Sequence, residues 1–228
     1  MADIAATRSA SGARSLMAPQ ADQALVNVAA TCLRTRALGP GVRAALWVQG
    51  CPFRCAGCLA PDWIPQRPAR IVAAGELADE LLADPDVTGL TFSGGEPMAQ
   101  AGALAQVIAA ARRQREVTLI CFTGFRLAEL LARPPDPGVP GLLAQTDVLI
   151  DGRYVAARND DLGLRGSSNQ QIHHLTGRLA GFAAELAGGR RRSEIRLTAR
   201  SAFLVGVPEA AVAAAFDRLG ETAGRGTR

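Results

Sequence analysis

The sequence predicts an α/β protein: a partial (β/α) barrel of mostly parallel strands in a single domain. Three observations predict it. Short β-like runs alternate with longer helical runs, the pattern of crossover units rather than of helix bundles or sandwiches. At 228 residues the chain is long enough for one sizeable core and short for two. Polar or glycine-rich residues directly follow four of the strand-like runs, where parallel α/β folds carry their working residues.

In chain order, Ala24 to Leu33 and Arg43 to Gln49 are β-like runs joined by Leu38-Gly39-Pro40-Gly41, whose Gly and Pro make a turn, so they predict an opening strand pair. After a cysteine-bearing loop, Ala73 to Ala83 has helical periodicity and Val87 to Phe92 reads as a buried strand. Gly94-Gly95 and a helix from Ala99 to Arg113 follow. The unit repeats with strand Val117 to Phe122, turn Thr123-Gly124 and helix Arg126 to Ala132. Pro134 to Gly141 is dense in Pro and Gly and predicts a loop, with strand Asp147 to Ile150 beyond it. Asp151 to Gln171 is polar and too long for an ordinary connection, which makes it a candidate functional loop. Gly177 to Ala187 reads as a helix, Glu194 to Thr198 and Ala202 to Val207 as a closing strand pair, and Pro208 as the first turn of a last helix.

The expected organisation is an extension over 1–23, a domain over 24–218 and a basic tail over 219–228. The first stretch is rich in Ala and Ser and lacks the apolar core of a secretory signal, so it reads as a disordered extension, with a transit peptide as the other reading. Composition is 48% apolar and 20% charged, ordinary for a soluble protein. No apolar run approaches the ~18 to 20 residues that cross a bilayer, so a cytoplasmic protein is expected, with no membrane partner. The net charge of +4 sits largely in Arg190, Arg191, Arg192 and the tail, which read as solvated surface. Nucleic-acid binding wants basic residues interleaved with exposed aromatics, and aromatics are only 4% of the chain.

Three of the five cysteines fall in Cys51-Pro-Phe-Arg-Cys55-Ala-Gly-Cys58; Cys32 and Cys121 lie alone in β-like runs and read as small buried apolar residues. An odd cysteine count without a secretory signal argues against a disulfide framework. Structural zinc wants four Cys or His ligands, and the only histidines, His173 and His174, are more than a hundred residues away in a polar loop. An iron–sulfur cluster remains, because thiolates on a short loop can each reach a different iron. A 4Fe-4S cube with three thiolates leaves one iron open to an outside ligand. Directly after a strand comes Thr91-Phe92-Ser93-Gly94-Gly95-Glu96-Pro97, where glycines let the backbone approach a ligand, and carbonyls with Glu96 can accept from an ammonium group.

C-x3-C-x2-C is the spacing of the radical S-adenosylmethionine superfamily, and the chain resembles it in both motifs. The resemblance implies a 4Fe-4S cluster on Cys51, Cys55 and Cys58, with S-adenosylmethionine chelating the fourth iron and its amino group held by Gly94, Gly95, Glu96 and Pro97. It implies reductive cleavage of the C5′–S bond and a 5′-deoxyadenosyl radical that abstracts hydrogen, driven by a low-potential donor such as flavodoxin or ferredoxin. More narrowly, Trp47-Val48-Gln49-Gly50-Cys51-Pro52, Ser93 to Pro97, Phe122-Thr123-Gly124, Asp147 to Gly152 and Leu164 to Gln170 resemble the activating enzymes of glycyl radical proteins, above all the anaerobic ribonucleotide reductase activating type.

That likeness implies cofactor contacts for Thr123, Asp151 and Asn169, and a carboxylate contact for Arg165. Read from the residues alone, Thr, Asp or Asn beside Gly at a strand end also serves as a turn or helix-cap residue, and Arg165 as a solvated loop arginine. Leu59 and Ala60 follow Cys58 where the family carries an aromatic or His and then Asn, so that side chain is missing or supplied from elsewhere. The implied partner is a glycyl radical enzyme. The Leu59-Ala60 departure motivates an alternative, a maturase acting on a small peptide or metabolite; a third reading is a non-catalytic iron–sulfur sensor.

Overall fold

A computed structural model describes residues 24–197 and 202–222, without the side chains of 220–222. The expected extension over 1–23, Thr198 of the closing strand pair, and the end of the basic tail from 223 lie outside the described residues. The strands are β1 (Leu25–Thr35), β2 (Arg43–Val48), β3 (Arg70–Ala73), β4 (Gly89–Gly94), β5 (Thr118–Thr123), β6 (Val148–Asp151), β7 (Gln171–His174), β8 (Ser193–Leu197) and β9 (Ala202–Gly206). The helices are α1 (Ala74–Leu81), α2 (Ala101–Gln114), α3 (Leu127–Ala132), α4 (Val139–Leu143), α5 (Ala183–Gly188) and α6 (Ala210–Thr222).

Seven strands form one sheet in the order β3-β1-β2-β4-β5-β6-β7. Its centre, β2-β4-β5-β6, is parallel, and both flanks turn antiparallel through β1, β3 and β7. β8 and β9 make a separate antiparallel hairpin.

Every residue of β2 and β6 is buried because both faces of the sheet are covered, which is why these runs are continuously apolar rather than alternating. The alternation of side chains across each strand still divides the core in two. Ala44, Leu46, Leu90, Phe92, Leu119 and Leu149 face the helices, meeting Leu77, Leu81, Leu104 and Ile108 of α1 and α2. Ala45, Trp47, Ile120, Val148 and Ile150 face the other way, toward Trp63, Leu164, Leu186, Val205 and Val207.

Arg43 shares this second face and caps its far end, with no side chain exposed. Its guanidinium donates to Thr91 Oγ1 at 2.7 Å, to Thr118 Oγ1 at 3.0 Å and to the Leu90 carbonyl. Burial without a contacting carboxylate pushes its pKa down to about 9.

Several expectations need correction. Pro134 to Gly141 is not loop throughout, because α4 begins at Val139: Pro140 sits in its first turn, where a missing N–H costs nothing, and Val139, Leu142 and Leu143 bury on the helix-side core. The expected helix at Gly177 opens as a 3-10 turn over Gly177–Phe182 before α5. The edge strands β3 and β7 carry no apolar alternation, being half exposed, and the sequence does not announce them. His173 and His174 therefore lie on a strand and not in a loop. Arg191 is buried, at 7% exposure, and is not solvated surface. No helix among the described residues is long and apolar enough to cross a membrane.

Candidate functional site

The C-terminal ends of the four parallel strands open on one cleft, as the motif positions lead one to expect. Cys51, Cys55 and Cys58 all line it. Their loop leaves β2 at Gly50, whose φ of 96° only glycine takes easily, and it is held at both ends. Gly50 N donates to Trp63 O at 2.9 Å, Cys51 N to Ile64 O at 3.0 Å and the Gln49 side chain to Pro65 O at 2.7 Å. Within it, Cys58 N donates to Cys55 O at 3.2 Å across a turn in which Gly57 has φ 73°. The three thiols are part-buried and none is in a disulfide. Burial pushes the Cys51 thiol up to about 11, and Glu96, Cys58 and Cys55 add to that against the Phe53 backbone N–H. Cys32 and Cys121 are buried away from the cleft, as expected.

The Gly94-Gly95-Glu96-Pro97 turn is the tether between β4 and this loop. Gly95 N donates to Val48 O at 2.7 Å and Glu96 N to Gly50 O at 2.9 Å. A Cβ on Gly95 would stand 2.2 Å from the Gly50 carbonyl oxygen, so a side chain there would separate the strand exit from the cysteine loop. The Glu96 side chain, 1% exposed, turns inward: it accepts from Met98 N at 2.9 Å, Thr123 Oγ1 at 2.8 Å and Gly124 N at 2.7 Å. It thus joins the exits of β4 and β5. Burial raises its pKa to about 7, against the pull of Gly124, Met98 and Thr123.

Thr123 lines the cleft at the end of β5 and also accepts from Phe125 N at 3.2 Å. Asp151, at the end of β6, does not line it. Its Oδ2 accepts from Leu127 N at 2.6 Å, capping α3, and stands 3.0 Å from His173 Nε2 without hydrogen-bond alignment. Arg165 and Asn169 are also off the cleft wall. Arg165 pairs with Asp160 at 2.7 Å. Asn169 Nδ2 donates to Arg153 O at 2.8 Å, while its Oδ1 is buried without a partner.

Residues that the sequence does not single out complete the site. Arg153 is the one cationic side chain on the cleft wall among the described residues, and its guanidinium lies 4.5 Å over the Phe53 ring. Phe53 in turn packs edge-on to Phe125 at 4.7 Å and fills the space where a Gly124 Cβ would be, 2.5 Å from its ring. Gln170 braces the long loop, accepting from Gly166 N at 2.8 Å and donating to Gly152 O at 2.7 Å. Trp63 lines the cleft together with Leu59 and Ala60, its ring 5.6 Å from that of Trp47. Leu204, Val207, Pro208 and Ala213, from β9 onward, also line the cleft. The spacing Phe53-Arg54-Cys55 and the Asp151-Gly152-Arg153 strand exit were the available signals for the first two residues.

Three part-buried thiols on one loop, facing a cleft floored by a glycine turn, suit a cluster with one iron open better than a closed four-ligand ion. The 4Fe-4S single cluster domain family matches residues 37–173. An anaerobic ribonucleoside-triphosphate reductase-activating protein of Vibrio cholerae is 35% identical over 148 residues, covering 60% of this chain and 91% of its own. The protein of that name from Salmonella typhi is 34% identical over 148 residues, with the same coverage of 60% and 91%. A pyruvate formate-lyase-activating enzyme of Staphylococcus aureus is 43% identical over 68 residues, 27% of each chain.

The family match and these relatives place the chain among iron–sulfur proteins of the radical S-adenosylmethionine class. Within it, the chain belongs to the family of anaerobic ribonucleotide reductase-activating proteins, among the activating enzymes of glycyl radical proteins. It is an enzyme of that type, with a 4Fe-4S cluster and S-adenosylmethionine as its cofactors.

Proposed function

We propose that this chain installs a glycyl radical on a partner enzyme of the anaerobic ribonucleotide reductase kind, by abstracting a glycine Cα hydrogen. The observation that carries the reading is the convergence of Cys51, Cys55, Cys58, the Gly94–Pro97 turn and Thr123 on a single cleft. When bound, the cluster supplies the electron that splits S-adenosylmethionine and the cofactor supplies the 5′-deoxyadenosyl radical.

The protein's own part is placement and the exclusion of water. Cys51, Cys55 and Cys58 hold three irons. Gly94, Gly95 and Pro97 keep the turn flat against the cysteine loop so that its carbonyls meet the amino group, with Glu96 bolting the turn to β5. Arg153, on the cleft wall, holds the methionine carboxylate in place of Arg165, whose guanidinium is engaged by Asp160. Thr123 serves the cofactor from the cleft wall, Asn169 supports that wall by donating to the Arg153 carbonyl, and Asp151 sets the β6 exit by capping α3. The sheet curls as a partial barrel around this cleft, the domain spans 24–218, the electron comes from a flavodoxin or ferredoxin, and the enzyme works in the cytoplasm.

Anaerobic reconstitution with iron and sulfide, followed by S-adenosylmethionine, dithionite and a candidate glycyl radical enzyme, tests this. The expected products are 5′-deoxyadenosine, methionine and a glycyl radical signal in paramagnetic resonance, all lost in Cys55→Ala. Cleavage with no radical on the partner would move the reading to a peptide or metabolite maturase. A cluster without any cleavage would move it to a sensor.

A further inference from the structure

We infer that Arg191 is a positioning residue for cofactor binding, pinning the cleft-lining loop after β6 to the C-terminal wall; the inference rests on the cofactor site proposed above. Arg191 lies beyond the stretch 37–173 that the family matches. Its side chain is 1% exposed, yet its guanidinium touches three separate parts of the chain. Nη1 donates to Asn159 Oδ1 at 2.7 Å, Asp161 Oδ1 at 3.2 Å and Pro208 O at 3.1 Å. Nη2 donates to Arg165 O at 2.6 Å and Gly166 O at 3.3 Å.

Both ends of that network reach the cleft, since Gly166 and Pro208 both line it. Gly166 is gripped on its N–H by Gln170 and on its carbonyl by Arg191, so this cleft-lining residue is held at both of its backbone polar groups. Asp161 completes the pin. It holds φ 56°, the one non-glycine residue in the left-handed region among the described residues, and its Oδ1 also accepts from Ala210 N at 2.8 Å, the first residue of α6. A non-glycine residue sits there only where surrounding contacts outweigh the strain. The two Nη groups carry four N–H bonds for these five acceptors, so at least one is shared, while the Nε–H is buried without a partner; an ammonium would bring three donors from a single point.

The test compares Arg191→Met and Arg191→Lys with wild type as full chains carrying the cluster. S-adenosylmethionine affinity and turnover at saturating cofactor are read, with amide hydrogen exchange of the cluster-free proteins in parallel. Arg191→Met should bind the cofactor about tenfold more weakly, the equivalent of one net hydrogen bond. Its saturating turnover should stay near wild type, and Gly166 and Ser167 amides should exchange faster while those of β4 do not. Arg191→Lys should recover part of the affinity. Unchanged affinity and unchanged local exchange in Arg191→Met would overturn the inference. If that variant does not fold, Asp161→Ala, which removes one acceptor and the α6 cap, should weaken binding in the same way, and unchanged binding there overturns it equally. Wild type that assembles a cluster but binds no S-adenosylmethionine would sink the functional reading instead, and the exchange data would still judge Arg191 by itself.

Discussion

Glu96 shows how one side chain can hold a site together without being its reactive group. A carboxylate buried among three donors is a joint, and its pKa of about 7 against an ordinary 4.5 records the cost of that burial. A raised carboxyl pKa means that the folded chain keeps a proton which the unfolded chain has already released. Stability from this group is therefore full below about pH 4.5 and is lost as pH rises to about 7. The cluster-free protein should melt at a lower temperature at pH 7.5 than at pH 5, with roughly 2 kcal/mol of stability from Glu96 lost over that window. Glu96→Gln should flatten that slope, at lower stability throughout because an amide NH2 would face the Gly124 N–H. Parallel slopes in the two proteins would mean that Glu96 is ionised across the whole range. Glu96 was legible in the sequence as part of a motif, but its role as a bolt was not, because Thr123 and Gly124 reach it only across the β4–β5 pairing.

At the scale of elements, the loop after β6 separates two arginines that look alike in sequence. Arg153 follows the end of β6 on the cleft wall with its guanidinium 4.5 Å over the Phe53 ring, whereas Arg165 is twelve residues further on and turned to Asp160. Arg153→Met should weaken S-adenosylmethionine binding by about tenfold with the cluster intact, as expected for losing a charge-assisted contact of roughly 1.5 kcal/mol or more. Arg165→Met should change binding far less, because the Asp160 pair is partly solvated and such pairs are worth about 1 kcal/mol or less. Titration calorimetry on the reconstituted proteins distinguishes them, and equal losses would return the carboxylate contact to Arg165. The helices and central strands could be read from periodicity because burial on two faces writes long apolar runs. β3 and β7 could not, since an edge strand with residues such as Gln171 and His174 is specified by its neighbour's backbone and not by its own side chains.

For the whole molecule, the decisive feature is the division of the sheet into a helix-covered face and a working face. Cysteine loop, long loop, hairpin β8-β9 and α6 all gather on the second face, where Trp47, Trp63 and Phe203 form one aromatic cluster, with Trp47 to Phe203 at 5.1 Å and Trp63 to Phe203 at 6.0 Å. The chain has 2 tryptophans, and both line the cleft, so intrinsic fluorescence reports on this face alone. Cluster assembly should quench it strongly, and Phe203→Ala should red-shift the emission of the cluster-free protein by admitting water from the hairpin side. An unshifted spectrum in Phe203→Ala would mean that the hairpin does not cover the tryptophans in solution.

What the sequence by itself determined is chemistry that is local along the chain: three thiols at C-x3-C-x2-C, a glycine turn directly after a strand, and runs whose period dictates helix or strand. These need only near neighbours and backbone propensity, so they survive in one dimension. Only the tertiary structure decided which polar side chains reach the cleft. It took Asp151 into a helix cap and Arg165 into an ion pair, placed Arg153 and Trp63 on the wall, and buried Arg191 between segments that the chain separates by dozens of residues. Side-chain direction and long-range hydrogen bonding depend on which surfaces pack together, and that is settled by the burial of the whole sheet rather than by any stretch of it.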